Sequence, residues 1–338
     1  MLYGLQPLTH LIGDIPEPCL GFTTSFLFSF LFLLVIGLAM SSYPSPSASS
    51  LSHPLTLPHL HAMAKAGEKI AALTAYDATF AVIADQAGID ILLVGDSAGM
   101  VCQGLPSTVG VTLKTLCHYT ENVARGLAQS VQTSSATGRA FLIADLPYGT
   151  YAQSPEQAYA SSCALMRAGA HMVKLEGGQA WAVDTVAFLV ERSIPVCGHI
   201  GLTPQSVHAL GGYRLQGKTP ETAQTLVEQA LALQAAGAGL LVLEMVPCGL
   251  ARQITDELNA KNPLCPTIGI GAGSATNGQI LVMHDMLGLR FPGRSTPRFV
   301  KDFLALANDS HGSIENAFAL YVQAVKTQQF PIDSQHGF

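Results

Sequence analysis

Eight short runs rich in Val, Ile and Leu follow one another between Ile70 and Met283, most of them separated by stretches with helical spacing. They are Ile70–Ala75, Ile89–Gly95, Ala140–Ala144, Met172–Leu175, Ile194–Gly198, Leu240–Leu243, Thr267–Ile270 and Ile280–Met283. The runs are continuously apolar rather than alternating, which is the pattern of strands covered on both faces. Strand then helix, repeated eight times over about 250 residues, predicts an α/β fold of the (β/α)8 TIM-barrel type. A doubly wound open sheet is the alternative, because periodicity does not say whether a sheet closes.

The segments between the runs carry helix punctuation. Ser154-Pro155-Glu156-Gln157 reads as a capping box, with Pro at the first helical position, and Ala158, Ser162, Leu165, Met166 and Gly169 continue it as an apolar stripe. Thr219-Pro220-Glu221 opens a second helix in the same way, with Leu226, Ala230 and Leu233 along one face. Beyond Pro297 the spacing predicts two more helices, roughly 298–307 and 314–328.

Almost every run ends in a polar residue: Tyr76-Asp77, Asp96-Ser97, Asp145, Lys174 with Glu176, His199, Glu244 and His284-Asp285. In a parallel barrel these C-terminal ends share one face, where active sites of this architecture lie. A single Asp after a strand ordinarily caps the next helix or makes a turn. So many acids after buried strands, in a chain with only 12% charged residues, point instead to a site. Converging carboxylates need a cation, and hard oxygen donors without a Cys or His cluster favour Mg2+ over zinc. Gly269–Gly273 lacks the third glycine of a dinucleotide fingerprint and reads as a tight turn. His118, His171 and His208 have no partner at metal-ligand spacing, Trp181 reads as a packed residue opening a helix, and Cys197 as a buried small hydrophobe. Ser97 lacks the G-x-S-x-G context of a nucleophile.

Charge and cysteine usage narrow the setting. Seventeen basic residues against 23 acidic ones, with no basic patch, give no support for nucleic-acid binding. The seven cysteines are scattered without a C-x-x-C pair, which reads as reduced thiols in a cytoplasm. A charged fraction about half the usual ~25% predicts surface hidden in a homo-oligomer.

Residues 1–54 stand apart. Cys19 to Met40 carries no charge and is about the ~20 residues that span a bilayer, yet no Lys or Arg precedes Lys65, and Asp14 and Glu17 lie upstream. The Ser/Pro-rich tract Ser41–Pro58 reads as linker. The expectation is a non-barrel leader, with translation starting at Met40 or Met63, a question that intact mass decides; a membrane tether is the minority alternative.

The blocks TAYDATFA (74–81), LLVGDSAGMVCQG (92–104), ADLPYGTY (144–151), MVKLEGG (172–178), PVCGHIGLTPQSV (195–207), GGYRLQGK (211–218), LLVLEMVP (240–247) and IGIGAG..TNGQILVMHD (268–285) resemble, in order and spacing, the ketopantoate hydroxymethyltransferase family. The resemblance covers residues 55–335 and implies one catalytic (β/α)8 barrel of the phosphoenolpyruvate/pyruvate superfamily. It also implies one-carbon transfer from 5,10-methylenetetrahydrofolate to 3-methyl-2-oxobutanoate, giving 2-dehydropantoate. By motif, Asp96 and Asp145 would hold Mg2+ and contact substrate, and Glu176 would reach the metal directly or through water. Lys174 and Ser97 would contact the substrate, Glu244 would accept its proton, and His199 would line the pocket. The family commonly forms a decamer. A lyase or mutase of the same superfamily is the competing enzyme reading, but its K-[KR]-C-G-H block is absent, the corresponding motif here being VKLEGG.

Overall fold

The computed structural model describes residues 54–130, 139–261, 264–291, 293, 295–308 and 313–338. Residues 1–53 of the leader, with its apolar run, lie outside the described residues. Among those described, no helix is long and apolar enough to cross a membrane.

The strands are β1 (Ile70–Thr74), β2 (Ile91–Val94), β3 (Phe141–Asp145), β4 (Met172–Glu176), β5 (Val196–Gly201), β6 (Leu240–Glu244), β7 (Thr267–Ile270) and β8 (Gly278–Leu281). All pairs are parallel and follow chain order, and β8 returns to β1, so the sheet closes. The open-sheet alternative is thereby excluded.

Period-two alternation sorts each strand into two cores. Ile70, Ala72, Ile91, Leu93, Phe141, Ile143, Met172, Cys197, Leu240, Val242, Ile268 and Ile280 fill the barrel interior. Their neighbours, among them Leu73, Leu92, Leu142, Val173 and Leu241, pack outward against the helices. This two-sided burial is why the runs are continuously apolar. The helix Leu57–Lys65 adds Leu60, and the turn before it adds Leu55, to the interior cluster. The tract read as linker to Pro58 therefore ends earlier: Pro54 bridges to Arg139 and Pro58 is already helical. A start at Met63 would remove Leu55 and Leu60 from that cluster.

Several local expectations are corrected. The β7–β8 connection is the tight turn expected at Gly269–Gly273, its Gly271 and Gly273 at φ 61° and 80°, so the strand–helix repeat lapses there. The outer helix nearest the seam is Ile314–Lys326, whose Tyr321 hydroxyl donates to Ala72 O at 2.7 Å and to Gln279 O at 3.1 Å. The two helices expected after Pro297 run Phe303–Asn308 and Ile314–Lys326, the former starting late because Asp302 Oδ1 accepts the Ala305 N–H, and a short helix Asp333–His336 follows them. Ser154 caps its helix by accepting the Gln157 N–H, but Gln157 Oε1 takes the Gln153 N–H, so the box is not reciprocal. Trp181 opens its helix and packs one face on Tyr151, ring centroids 6.0 Å apart, while remaining 40% exposed.

Candidate active site

The alternation that fills the interior also aims the functional side chains. On β3, Phe141 and Ile143 point inward, so Asp145 does too; on β4 the same parity carries Met172, Lys174 and Glu176. On β5 it carries Cys197 and His199, and on β6 Leu240, Val242 and Glu244. Register then makes neighbours of them: Asp145 pairs with Lys174, and Glu176 with His199. Asp96 follows β2, and its backbone N–H donates to Asp145 Oδ2 at 2.9 Å. A Cβ on Gly95 would stand 2.8 Å from Ser97 Oγ, so glycine is what allows this close turn.

These side chains line one end of a cavity of about 810 Å3 at the C-terminal face of the barrel. Lys174 Nζ lies 2.9 Å from Asp145 Oδ1 and 3.8 Å from Glu176 Oε1. His199 sits between the acids, Nδ1 at 3.4 Å from Glu176 Oε1 and Nε2 at 3.3 Å from Glu244 Oε2. Nδ1 is also 3.3 Å from the Lys174 ammonium, which can only donate, so Nδ1 accepts and Nε2 carries the proton toward Glu244. Ser97 Oγ shares a 2.9 Å hydrogen bond with the buried Tyr76 hydroxyl. The rest of the cavity is walled by Met100, Val101, Tyr213, Phe299 and Phe338, with Arg290 and Arg298 also lining it.

Four carboxylates thus face one ammonium, and all five side chains are largely shielded from solvent. Burial raises the Asp96 pKa well above the carboxylate range, reinforced by Asp145 and Glu176. Burial pushes Glu176 up to about 7 against the opposing pull of Lys174. Burial also raises Glu244, opposed by its contact with His199. Burial works against the Lys174 charge, but Asp145, Glu176 and Asp96 outweigh it and hold the ammonium protonated. His199 is lowered by burial and then by Lys174, so its imidazole is neutral.

The donor set fits a hard divalent cation. Asp145 Oδ1, Glu176 Oε1 and His199 Nε2 are buried without a well-formed hydrogen bond, the two carboxylate oxygens being held by charge, Asp145 Oδ1 at 2.9 Å from the Lys174 ammonium. Among the described residues no three His, Cys, Asp or Glu side chains form a ready-made cage. Mg2+ does not require one, because it typically takes one or two carboxylates and completes its shell with water and ligand oxygens. Asp96 and Asp145, on adjacent strand ends, would be such a pair.

Not every strand-end residue joins the site. Asp77 caps its helix by accepting the Phe80 N–H at 2.9 Å, while Asp285 lines the cavity and His284 packs on Tyr76. Tyr151 and Gln205, which bond directly to the acids' network, escape a reading based on strand ends because both come from loops. The six described cysteines are free.

A family model described as ketopantoate hydroxymethyltransferase matches residues 54–333. The chain belongs to that family. Among its relatives, 3-methyl-2-oxobutanoate hydroxymethyltransferase of Paracidovorax citrulli is 59% identical over 295 residues, covering 87% of this chain and 94% of the relative. The protein of the same name from Acidovorax sp. strain JS42 is 58% identical over 302 residues, 89% and 97% of the two chains. A more distant likeness, to a crystal structure of a candidate phosphonomutase from Burkholderia cenocepacia, has 18% identity and a TM-score of 0.51. It covers 69% of this chain and 94% of the other and speaks to the shared barrel fold alone. The quoted motif blocks of the ketopantoate hydroxymethyltransferase family supply every inward acid described above, as well as Lys174 and His199.

Proposed function

We propose that this chain is a 3-methyl-2-oxobutanoate hydroxymethyltransferase, forming 2-dehydropantoate with 5,10-methylenetetrahydrofolate as one-carbon donor. The observation that carries the chemistry is the convergence of Asp96, Asp145, Glu176 and Glu244 around a single ammonium at one end of the cavity. An anionic keto acid entering there needs more positive charge than Lys174 supplies. Asp96 and Asp145 would hold Mg2+, with Glu176 reaching it directly or through water. When bound, the ion would withdraw electron density from the substrate's oxygens and ease ionisation of the neighbouring carbon.

The remaining steps belong to side chains. Lys174, held ionised by its acids, faces the substrate's negative charge. Ser97, anchored by Tyr76, offers a hydroxyl beside Asp96. Glu244 takes the C3 proton; burial brings its affinity for that proton closer to the working pH, which favours a general base. His199, neutral, sets its Nε2 3.3 Å from Glu244 Oε2 and so packs against the carboxylate it would help to orient. The C3 carbanion then bonds to the donor's methylene carbon, both of that carbon's bonds to folate nitrogens break in turn, water supplies the hydroxyl group, and the C3 proton with the remaining water proton ends on the two nitrogens. The apolar walls beyond the acids leave room for the larger donor.

The same reading places the enzyme in the cytoplasm as a homo-oligomer, a decamer in keeping with its family, with residues 1–54 as a leader outside the catalytic unit. Incubating the full chain with both substrates, with Mg2+ or with EDTA, tests the function. Product that appears only with the metal is expected, and absence of product under both conditions refutes it.

A further inference from the structure

The most heavily bonded polar side chain near the acids is neutral. Gln205, 6% exposed, stands in the short turn Pro204–Ser206 after β5. Its Nε2 donates to Asp96 Oδ2 at 2.8 Å and to Leu146 O at 2.9 Å, and its backbone N–H donates to Glu176 Oε2 at 2.9 Å. The Tyr151 hydroxyl, also buried, donates to Gln205 Oε1 at 2.7 Å. Neither Gln205 nor Tyr151 lines the cavity.

An amide's two ends are often interchangeable, but here they are not. The Leu146 carbonyl can only accept, so the nitrogen must face it and Asp96. The Tyr151 hydroxyl has a proton to give, so the oxygen must face Tyr151. One residue therefore ties Asp96, from the end of β2, to Glu176, from the end of β4, across the intervening β3. It does so without adding a charge to a crowded set of acids, and it occupies only one oxygen of Asp96.

We infer that Gln205 is a positioning residue for the metal-binding acids: its side chain fixes Asp96 and its backbone fixes Glu176, while Tyr151 locks the amide in the one orientation that does both. The inference rests on the proposed function for the identity of the ligand, Mg2+ with the keto acid. Partners that orient a ligating carboxylate typically cost about 10–100-fold in metal affinity when removed.

Calorimetric titration of Mg2+ into the full chain, with 3-methyl-2-oxobutanoate saturating, tests it. Gln205→Leu is expected to raise the Mg2+ Kd about 10–100-fold and to regain most of its kcat when Mg2+ is raised accordingly. Tyr151→Phe is expected to raise the Kd in the same direction by a smaller factor, and it decides the matter if Gln205→Leu does not fold. A Kd within twofold of wild type in both variants, or activity lost from Gln205→Leu that added Mg2+ does not restore, overturns the role of Gln205. Wild-type protein run in parallel separates the two readings. If it neither binds Mg2+ nor makes product, the function falls and this role falls with it; if it does both, the variants judge Gln205 alone.

Discussion

Asp145 and Lys174 are register partners on β3 and β4, and their side chains meet at 2.9 Å inside the barrel mouth. The pair is nearly fully buried, so its Coulomb term is not diluted by water. Lys174→Met would leave Asp145 and Glu176 without their common cation. Breaking one side of a buried pair typically costs about 3–5 kcal/mol. The metal-free variant at pH 8 is expected to lose about that much stability in urea unfolding, and kcat/KM about 100-fold or more. A urea midpoint equal to wild type would mean that the acids do not depend on this ammonium.

Glu244 is separable from the binding machinery. It is inward-facing on β6, 3.3 Å from His199 Nε2, and is contacted neither by Lys174 nor by Gln205 through a hydrogen bond. Glu244→Gln should still bind the keto acid but slow exchange of its C3 proton with D2O by about 10²–10⁴-fold, the usual contribution of a general base. Proton NMR of the substrate in D2O, without the folate donor, reads this directly. Exchange at the wild-type rate would assign the proton to another group.

The metal-free site should show its strain as a pH dependence. Glu176 is pushed up to about 7, above the 4.5 of an unperturbed glutamate, chiefly by burial. A carboxyl that holds its proton more tightly when folded makes the native state bind more protons than the unfolded one. Stability contributed by that proton is therefore lost as pH rises from about 4.5 through about 7. Thermal unfolding in EDTA is expected to weaken over that interval. Mg2+ should restore stability more at pH 8 than at pH 5, where it competes with the proton. A melting temperature independent of pH in EDTA would show that Glu176 ionises without cost.

The strand-end acids are legible in the sequence because they obey the same parity as the core. Two inward apolar residues on β3 predict that Asp145 points inward, and the same logic covers Lys174, Glu176, His199 and Glu244. Glu244's direction of shift is not legible, since burial is opposed by the contact with His199 and by Lys174, and only the geometry shows burial prevailing. Gln205 escapes for a different reason: it reaches Asp96 from a turn 109 residues away in sequence, and no periodicity links the two. The same blindness moved the edges of β5 and β8. Apolar runs place β5 too early and β8 too late, because Gly201, Gly278 and Gln279 join strands through backbone pairing that hydropathy does not register.

Gly278 is where barrel closure is tightest. It pairs with Ile70 on β1 and with Ile268 on β7, so the last strand is gripped from both sides. A Cβ there would stand 2.5 Å from Ile70 O and 2.8 Å from Ile268 Cδ1. The backbone oxygen belongs to a closed sheet and has little room to retreat. Gly278→Ala is therefore expected to destabilise the fold by about 1–3 kcal/mol, the usual range for overpacking. Gly249, in the helix Cys248–Asn259, supplies the comparison, because nothing lies within 4 Å of its would-be Cβ. Gly249→Ala should be neutral or stabilise by up to about 1 kcal/mol, since alanine favours helix where space allows. Urea unfolding of the two variants beside wild type checks both signs. Equal stabilities for the pair would mean that the seam between β8 and β1 yields more easily than its spacing implies.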